Sequence, residues 1–306
     1  MISERARLTA MLVCLGSGWG LTHPLTKITD SAGYEPVGLI FWQLLIGAIL
    51  LGVIRWRQLG TMPFTHKTLG VWLMIATIGT LIPNTTAYRA AFHLPSGIMS
   101  IVIATIPMMA FPIALALRND RFSARRLCGL LLGLFGVAFI ALPEASLPEK
   151  AMLAFLPLAL VAPFCYACEG NIVAKWGTAG LDPFQVLFGA SVLGTLIALP
   201  LAVGFGQFFV PQPPFIIADL TMLLGSVIHV LVYAGYVWLI GRAGAVFAGQ
   251  VSYIVTSSGV LWAMLLLGES YSLWIWLALG CMALGLSLVQ PRVAQGASVG
   301  ETPAHE

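Results

Sequence analysis

Glu169 is the one acidic residue placed well inside an apolar stretch of this chain. An acidic side chain at the centre of a membrane helix costs ~2.5–3.5 kcal/mol on insertion scales. Such a carboxylate faces a wet cavity or holds a proton. In a cavity it can hold a substrate ammonium; protonated, it can exchange that proton during a transport cycle. A plainer reading stays open: Lys175 lies six residues on, about 9 Å along a helix, so Glu169 could pair with groups at the nearby surface. His23 is the second ionisable candidate, because an imidazole titrates near neutral pH and suits proton coupling. Lys27 follows four residues later, so a solvated helix end is the competing reading for His23.

Uncharged polar residues in other apolar stretches extend the list. Gln250, Tyr253 and Ser257 share one face of a helix by their spacing. With Trp42 and Gln43 they are expected to line a pathway for a polar solute. The alternative for such Ser, Thr and Gln side chains is interhelical hydrogen bonding, worth only ~0.6 kcal/mol per pair on average. Asn84 and Tyr88 share a face at i, i+4, with Arg89 beyond them; they either bind substrate or anchor the helix end. Tyr233 sits too deep for an interfacial aromatic belt and joins the pathway set, while His229 reads as a histidine bonded between helices. Cys165 and Cys168 have the CxxC spacing of redox and metal sites. No further ligands lie near them, so packing is the reading, and no metal or cofactor is expected.

The elements that must position these residues are membrane helices. Of the 306 residues, 59% are hydrophobic and 9% charged, and mean hydropathy is +0.93. A soluble domain carries about 25% charged residues. Apolar runs predict ten spans, near 8–27, 36–54, 68–89, 96–117, 127–142, 151–174, 183–206, 217–240, 244–267 and 271–289. Pro24 is expected to kink or loosen the first span, and Pro95, Pro107, Pro112, Pro157 and Pro163 to interrupt others. The residues from 291 on read as a disordered tail. A cleaved signal peptide at the start is the rival reading of the first span. With ten spans, twelve of the 15 basic residues fall on one side and three, Lys27, Arg89 and Lys150, on the other. The basic side is cytoplasmic by the positive-inside rule, which puts both termini in the cytoplasm. The plasma membrane is the expected location, in a bacterium the inner membrane.

The chain also repeats itself. Trp19 and Pro36 recur as Tyr166 and Pro183 at an offset of 147. Pro107, Asp120 and Gly136 correspond to Thr256, Glu269 and Gly285 at an offset of 149. At that offset Tyr233 matches Asn84. Five spans per copy is odd, so the second copy enters the membrane inverted. The expected fold is all-α and integral to the membrane: ten helices as a 5+5 inverted repeat, with one copy in 1–145, the other in 146–290 and the tail in 291–306. Inverted repeats of this kind build transporters, with a site between the halves near mid-membrane.

Trp19-Gly20 followed by Lys27, and Leu265-Leu266-Leu267-Gly268-Glu269 with Gly285, resemble the motifs of the drug/metabolite transporter superfamily, in particular its EamA-type ten-helix permeases. Pro107, Gly129 and Gly136 sit where that pattern wants them. Asn119-Asp120 replaces the first Gly-Glu, Thr256 replaces a proline, and Gln43 stands where an arginine is common. The resemblance implies transport, often export, of small metabolites such as amino acids. The residues themselves argue against an enzyme, because Asp30, Glu35, Glu144 and Glu149 are scattered and gather no cluster. They also argue against ATP-driven transport, because no Walker A pattern occurs. Few basic residues lie within spans, which disfavours a multiply anionic cargo. The expectation is a secondary transporter of small metabolites, amino acids or related zwitterions, by alternating access, with Glu169 and His23 as proton-coupling candidates. A lipid or drug flippase on the same fold, or a membrane-embedded enzyme, stays as the alternative. Expected partners are the small-molecule substrate and the bilayer, with no nucleic acid; a homo-oligomer is left open.

Overall fold

A computed structural model describes residues 4–30, 32–57, 62–119, 121–141, 149–243 and 251–289, and among these every regular element is helical. Gln250 and Asp120 lie outside the described residues, as does the tail from 290 on. In chain order the helices are α1 (Glu4–Asp30), α2 (Pro36–Arg57), α3 (His66–Ala76), α4 (Ile82–His93), α5 (Ser96–Ile103) and α6 (Ile106–Ala116). They continue with α7 (Ala124–Ala141), α8 (Leu156–Trp176), α9 (Pro183–Gly204), α10 (Ile217–Ala243), α11 (Val251–Leu267) and α12 (Leu273–Val289). A π turn, Thr77–Leu81, joins α3 to α4, and a 3₁₀ turn, Lys150–Phe155, leads into α8.

Proline explains several breaks. Pro83 has no N–H and its ring would crowd the carbonyl four residues back. The chain meets it by widening to π geometry just before, at Thr77–Leu81. Pro107 stands at the second position of α6, where a missing N–H costs nothing. Pro24 lies inside α1, which runs on to Asp30. The Thr22 and Thr26 hydroxyls donate to the Trp19 and Thr22 carbonyls, both in the turns before the proline.

Six helical segments among the described residues are long and apolar enough to cross a bilayer: Pro36–Ile54, His66–His93, Ser96–Ala116, Lys150–Trp176, Pro183–Gly204 and Ile217–Tyr236. Val251–Leu267 and Leu273–Gly285 are shorter apolar helices. Their side chains sort into two environments. Ile40, Ile98, Ile101, Ala198 and Met282 are fully enclosed, whereas Leu134, Leu196, Leu265 and Leu273 are more than half exposed. A soluble protein does not spread large apolar side chains over its surface in this way; lipid is the solvent that accepts them.

Packing follows a regular scheme. Helix α1 lies against α10 and α11, and α8 lies against α4 and α6. Helix α2 packs on α9 and α10, α9 packs also on α3, α5 packs on α11, and α7 packs on α12. Small residues set the closest approaches. A Cβ on Gly20 would stand 2.4 Å from Ser258 Oγ and 2.8 Å from the Gly259 backbone nitrogen. A Cβ on Gly285 would stand 2.7 Å from the Gly129 carbonyl oxygen. Backbone cannot retreat as a flexible side chain can. Gly20→Val is therefore expected to lower stability by about 3 kcal/mol. Thermal aggregation in detergent reads this; an unchanged midpoint would mean that α1 and α11 can separate freely.

The helix ends are tied by long-range polar contacts. Glu269 accepts hydrogen bonds from the Ser96 and Gly97 N–H groups at 2.8 and 3.2 Å, satisfying donors at the start of α5. Tyr271 donates to the same carboxylate. Lys27 donates to the Ala91 and Phe92 carbonyls at 2.9 and 2.6 Å, at the end of α4. At the other end of the molecule Lys175 donates to the Leu117 carbonyl, and Arg242 pairs with Glu4 at 3.5 Å in an exposed position. Before α10, Tyr34 stacks on Phe209 and donates to Asp219 at 2.6 Å. Desolvation, with this hydrogen bond added, pushes the Tyr34 hydroxyl from 10.0 up to about 12. A raised value stabilises the fold below pH ~10, and that contribution is lost as pH rises towards 12. Comparing absorbance titrations of the wild type and Tyr34→Phe should show one tyrosine ionising late. Loss of a tyrosine that titrates near 10 instead would refute the contact.

Candidate functional site

The sequence-predicted residues converge between the helices that pack α1 and α8 into the two halves. Gln43 is buried on α2 and accepts a hydrogen bond from the Tyr88 hydroxyl of α4. One turn earlier on α4, Asn84 accepts from Tyr166 of α8 at 2.9 Å. Glu169 follows Tyr166 by three residues and shares its face of α8. It is half-buried and meets the π turn: a Cβ on Gly79 would come within 2.8 Å of its carboxyl carbon and Oε2. Tyr166 and, from α10, Tyr233 both lie within reach of the charge on Glu169. Gln43, Tyr88, Asn84, Tyr166, Glu169 and Tyr233 thus form one belt that crosses α2, α4, α8 and α10.

An aromatic group adjoins this belt. Trp19 of α1 meets His229, Tyr233 and Tyr236 of α10 edge-on, with ring centroids 6.2, 5.8 and 5.6 Å apart. Its indole N–H donates to His229 Nδ1 at 3.4 Å, which leaves the proton of a neutral His229 on Nε2. His23 is half-buried and near enough for its charge to interact with His229. It is therefore inside the bundle and not at a solvated helix end.

Other predicted residues lie apart. Trp42 donates to the Phe209 carbonyl at 3.0 Å and packs under the segment before α10. Tyr253 packs against the large apolar cluster around Ile98, Ile101 and Val260. Ser257 is exposed, while its neighbour Ser258 faces α1 and donates to the Gly16 and Ile254 carbonyls. Gln250 falls outside the described residues. Lys175 is engaged with Leu117 and does not pair with Glu169. Cys165 is buried and Cys168 half-buried, both as free thiols. Among the described residues no group of three His, Cys, Asp or Glu side chains could hold a metal.

Three participants were not picked as site residues from the sequence: Gly79, Tyr166 and Trp19. Trp19 and Tyr166 carried a signal, since they are repeat mates at an offset of 147, and Asn84 and Tyr233 are mates at 149. The contacts Tyr166–Asn84 and Trp19–Tyr233 join the same repeat positions in the two halves. Gly79 carried none, because one glycine among 32 has no distinguishing pattern.

Comparison with known proteins places this arrangement. The model of the EamA-like transporter family matches twice, over residues 7–142 and 153–290. One crystal structure, of a protein described in no further words, shares 16% identity with a TM-score of 0.59, covering 94% of this chain and 98% of its own. At that identity it shows the fold alone. No curated protein matches.

Proposed function

This chain belongs to the EamA-like transporter family, and from that membership we propose a secondary transporter that exports amino acids or related zwitterions by alternating access. The observation that carries this reading is the polar belt around Glu169, held where helices of the two matched segments meet. A half-buried carboxylate with tyrosine, asparagine and glutamine around it suits a small solute bearing an ammonium group. Among the described residues no basic side chain takes part in the belt's hydrogen bonds, which fits a zwitterion or cation better than a multiply charged anion.

The proposed architecture is ten spans in two inverted halves, 1–145 and 146–290. The packing scheme supports it. Exchanging the halves turns α1 against α10 and α11 into α8 against the α3–α4 and α5–α6 segments. The α2–α9, α5–α11 and α7–α12 pairs map onto themselves. Rocking of one half on the other would then expose the belt to each side in turn. In this scheme Glu169 carries the coupling proton; Tyr166 and Cys165 of its own helix and Tyr233 of α10 are the titratable groups that its charge reaches. Both termini are proposed to be cytoplasmic, in a plasma membrane. The Glu4–Arg242 pair, which puts the start of α1 beside the end of α10, agrees with that arrangement.

Flux in proteoliposomes tests the function. Liposomes loaded with a mixed pool of labelled amino acids are expected to release particular ones saturably, and faster with an imposed pH gradient. Release equal to that of empty liposomes would sink the amino-acid reading.

A further inference from the structure

The carboxylate of Glu169 rests on bare backbone. A Cβ on Gly79 would lie 2.8 Å from Oε2 and 3.0 Å from Oε1, so any side chain there would push the carboxylate aside. That stretch of backbone is short of donors. The Ile82 N–H reaches back five residues to the Thr77 carbonyl. Residue 83 is proline, so the carbonyl that its N–H would have met, Gly79 or Ile78, loses its helical partner. The hydroxyls of Thr77, Thr85 and Thr86 are spent on other carbonyls, Thr77 on Leu73 and Met74, Thr85 on Leu81, and Thr86 on Ile82 and Pro83. Glu169 has no hydrogen-bond or ion-pair partner among the described residues. A carboxylate without a partner thus lies against a turn of backbone that is one donor short, an arrangement that calls for a ligand that donates.

We infer that Glu169 and the π turn form a subsite for a primary ammonium group. One positive charge with three N–H donors satisfies the carboxylate and the freed carbonyl together. A quaternary ammonium brings charge without donors and leaves the carbonyl unmet. Pro83 is then a positioning residue that keeps a carbonyl available, and Gly79 one that lets the carboxylate approach. This subsite deepens the transport reading above and rests on it for its purpose, though not for its chemistry.

The test uses the full chain, with n-butylammonium, tetramethylammonium and sodium as probes. Binding is read by thermal midpoint in detergent and by inhibition of labelled amino-acid efflux in liposomes. Butylammonium is expected to bind roughly tenfold or more tightly than tetramethylammonium, the loss expected when a charged hydrogen-bond partner is missing. Pro83→Ala returns an N–H to the helix and should weaken butylammonium several-fold while leaving tetramethylammonium unchanged. Gly79→Ala should weaken both ions by displacing the carboxylate, and Glu169→Gln should weaken both further by removing its charge. Equal affinity for the two ammonium ions, sodium matching butylammonium, or Pro83→Ala and Gly79→Ala behaving as wild type would each overturn the subsite. Efflux without ammonium selectivity overturns the subsite alone. Selectivity without efflux overturns the transport reading and leaves the subsite standing.

Discussion

Liposomes carrying Glu169→Gln are expected to lose efflux driven by a pH gradient, down to the level of empty liposomes, while keeping exchange of labelled for unlabelled substrate only at substrate concentrations raised to offset the lost ammonium contact. The physical reason is the position of this carboxylate. It lies inside a membrane helix, half-buried, against the π turn, with no hydrogen-bond or ion-pair partner among the described residues. An ionised group there is expensive unless it gains a proton or a cation. A glutamine of the same shape removes the charge and the titration but leaves the packing. If the half-cycle that carries substrate needs no proton, exchange persists; if return of the empty carrier needs a proton on Glu169, net driven flux stops. Full pH-driven flux in the mutant would remove Glu169 from coupling. Loss of exchange at every substrate concentration would assign it to substrate binding alone, which the ammonium probes then report directly.

Glu269→Ala is expected to cost about 2 kcal/mol of stability, since a buried donor left unmet costs ~1–3 kcal/mol: the Ser96 N–H loses its acceptor, while the Gly97 N–H keeps the Tyr271 hydroxyl at 3.2 Å. The Ser96 and Gly97 N–H groups open α5 at the junction between α4 and α5, and Glu269 reaches them from the opposite half of the chain. Tyr271 loses its acceptor in the same step. Little water is at hand at a helix end enclosed by protein to replace a carboxylate. Lys27, whose charge Glu269 also reaches, would keep its carbonyl partners at Ala91 and Phe92. Glu269→Gln should recover part of the loss, because an amide oxygen still accepts one N–H. The thermal midpoint in detergent reads the series, with wild type above Gln above Ala. A midpoint for Ala equal to wild type would show that water enters and caps α5.

The motif containing Glu269 illustrates how far the sequence could be read. Its place at the end of a Leu-rich span marked the family, and the family model confirms that mark over nearly the whole chain. Its role as a cap on α5 could not be read, because the donors it meets lie 173 and 172 residues away. The expected span limits lie close to the observed helices, since apolar runs of bilayer length specify their own hydrogen bonding.

The candidate site divides along the same line. That Glu169 is anomalous followed from sequence alone, because a charge in an apolar run is costly wherever the helix goes. The length of the apolar runs and the composition likewise pointed to helices in lipid, and the repeat offsets paired residues of the two copies. Which face of a membrane helix meets protein and which meets lipid was not determined, because both environments are apolar and select the same side chains. Tyr253 and Ser257 share a helical face by spacing; in the structure Tyr253 packs against an apolar cluster and Ser257 is exposed, placements the spacing alone did not give. Only the tertiary structure could bring Gly79 onto Glu169, or join Tyr166 to Asn84 and Trp19 to His229. Those contacts depend on how α1 and α8 lie against helices far away in the chain, a matter of packing geometry that no local pattern of residues encodes.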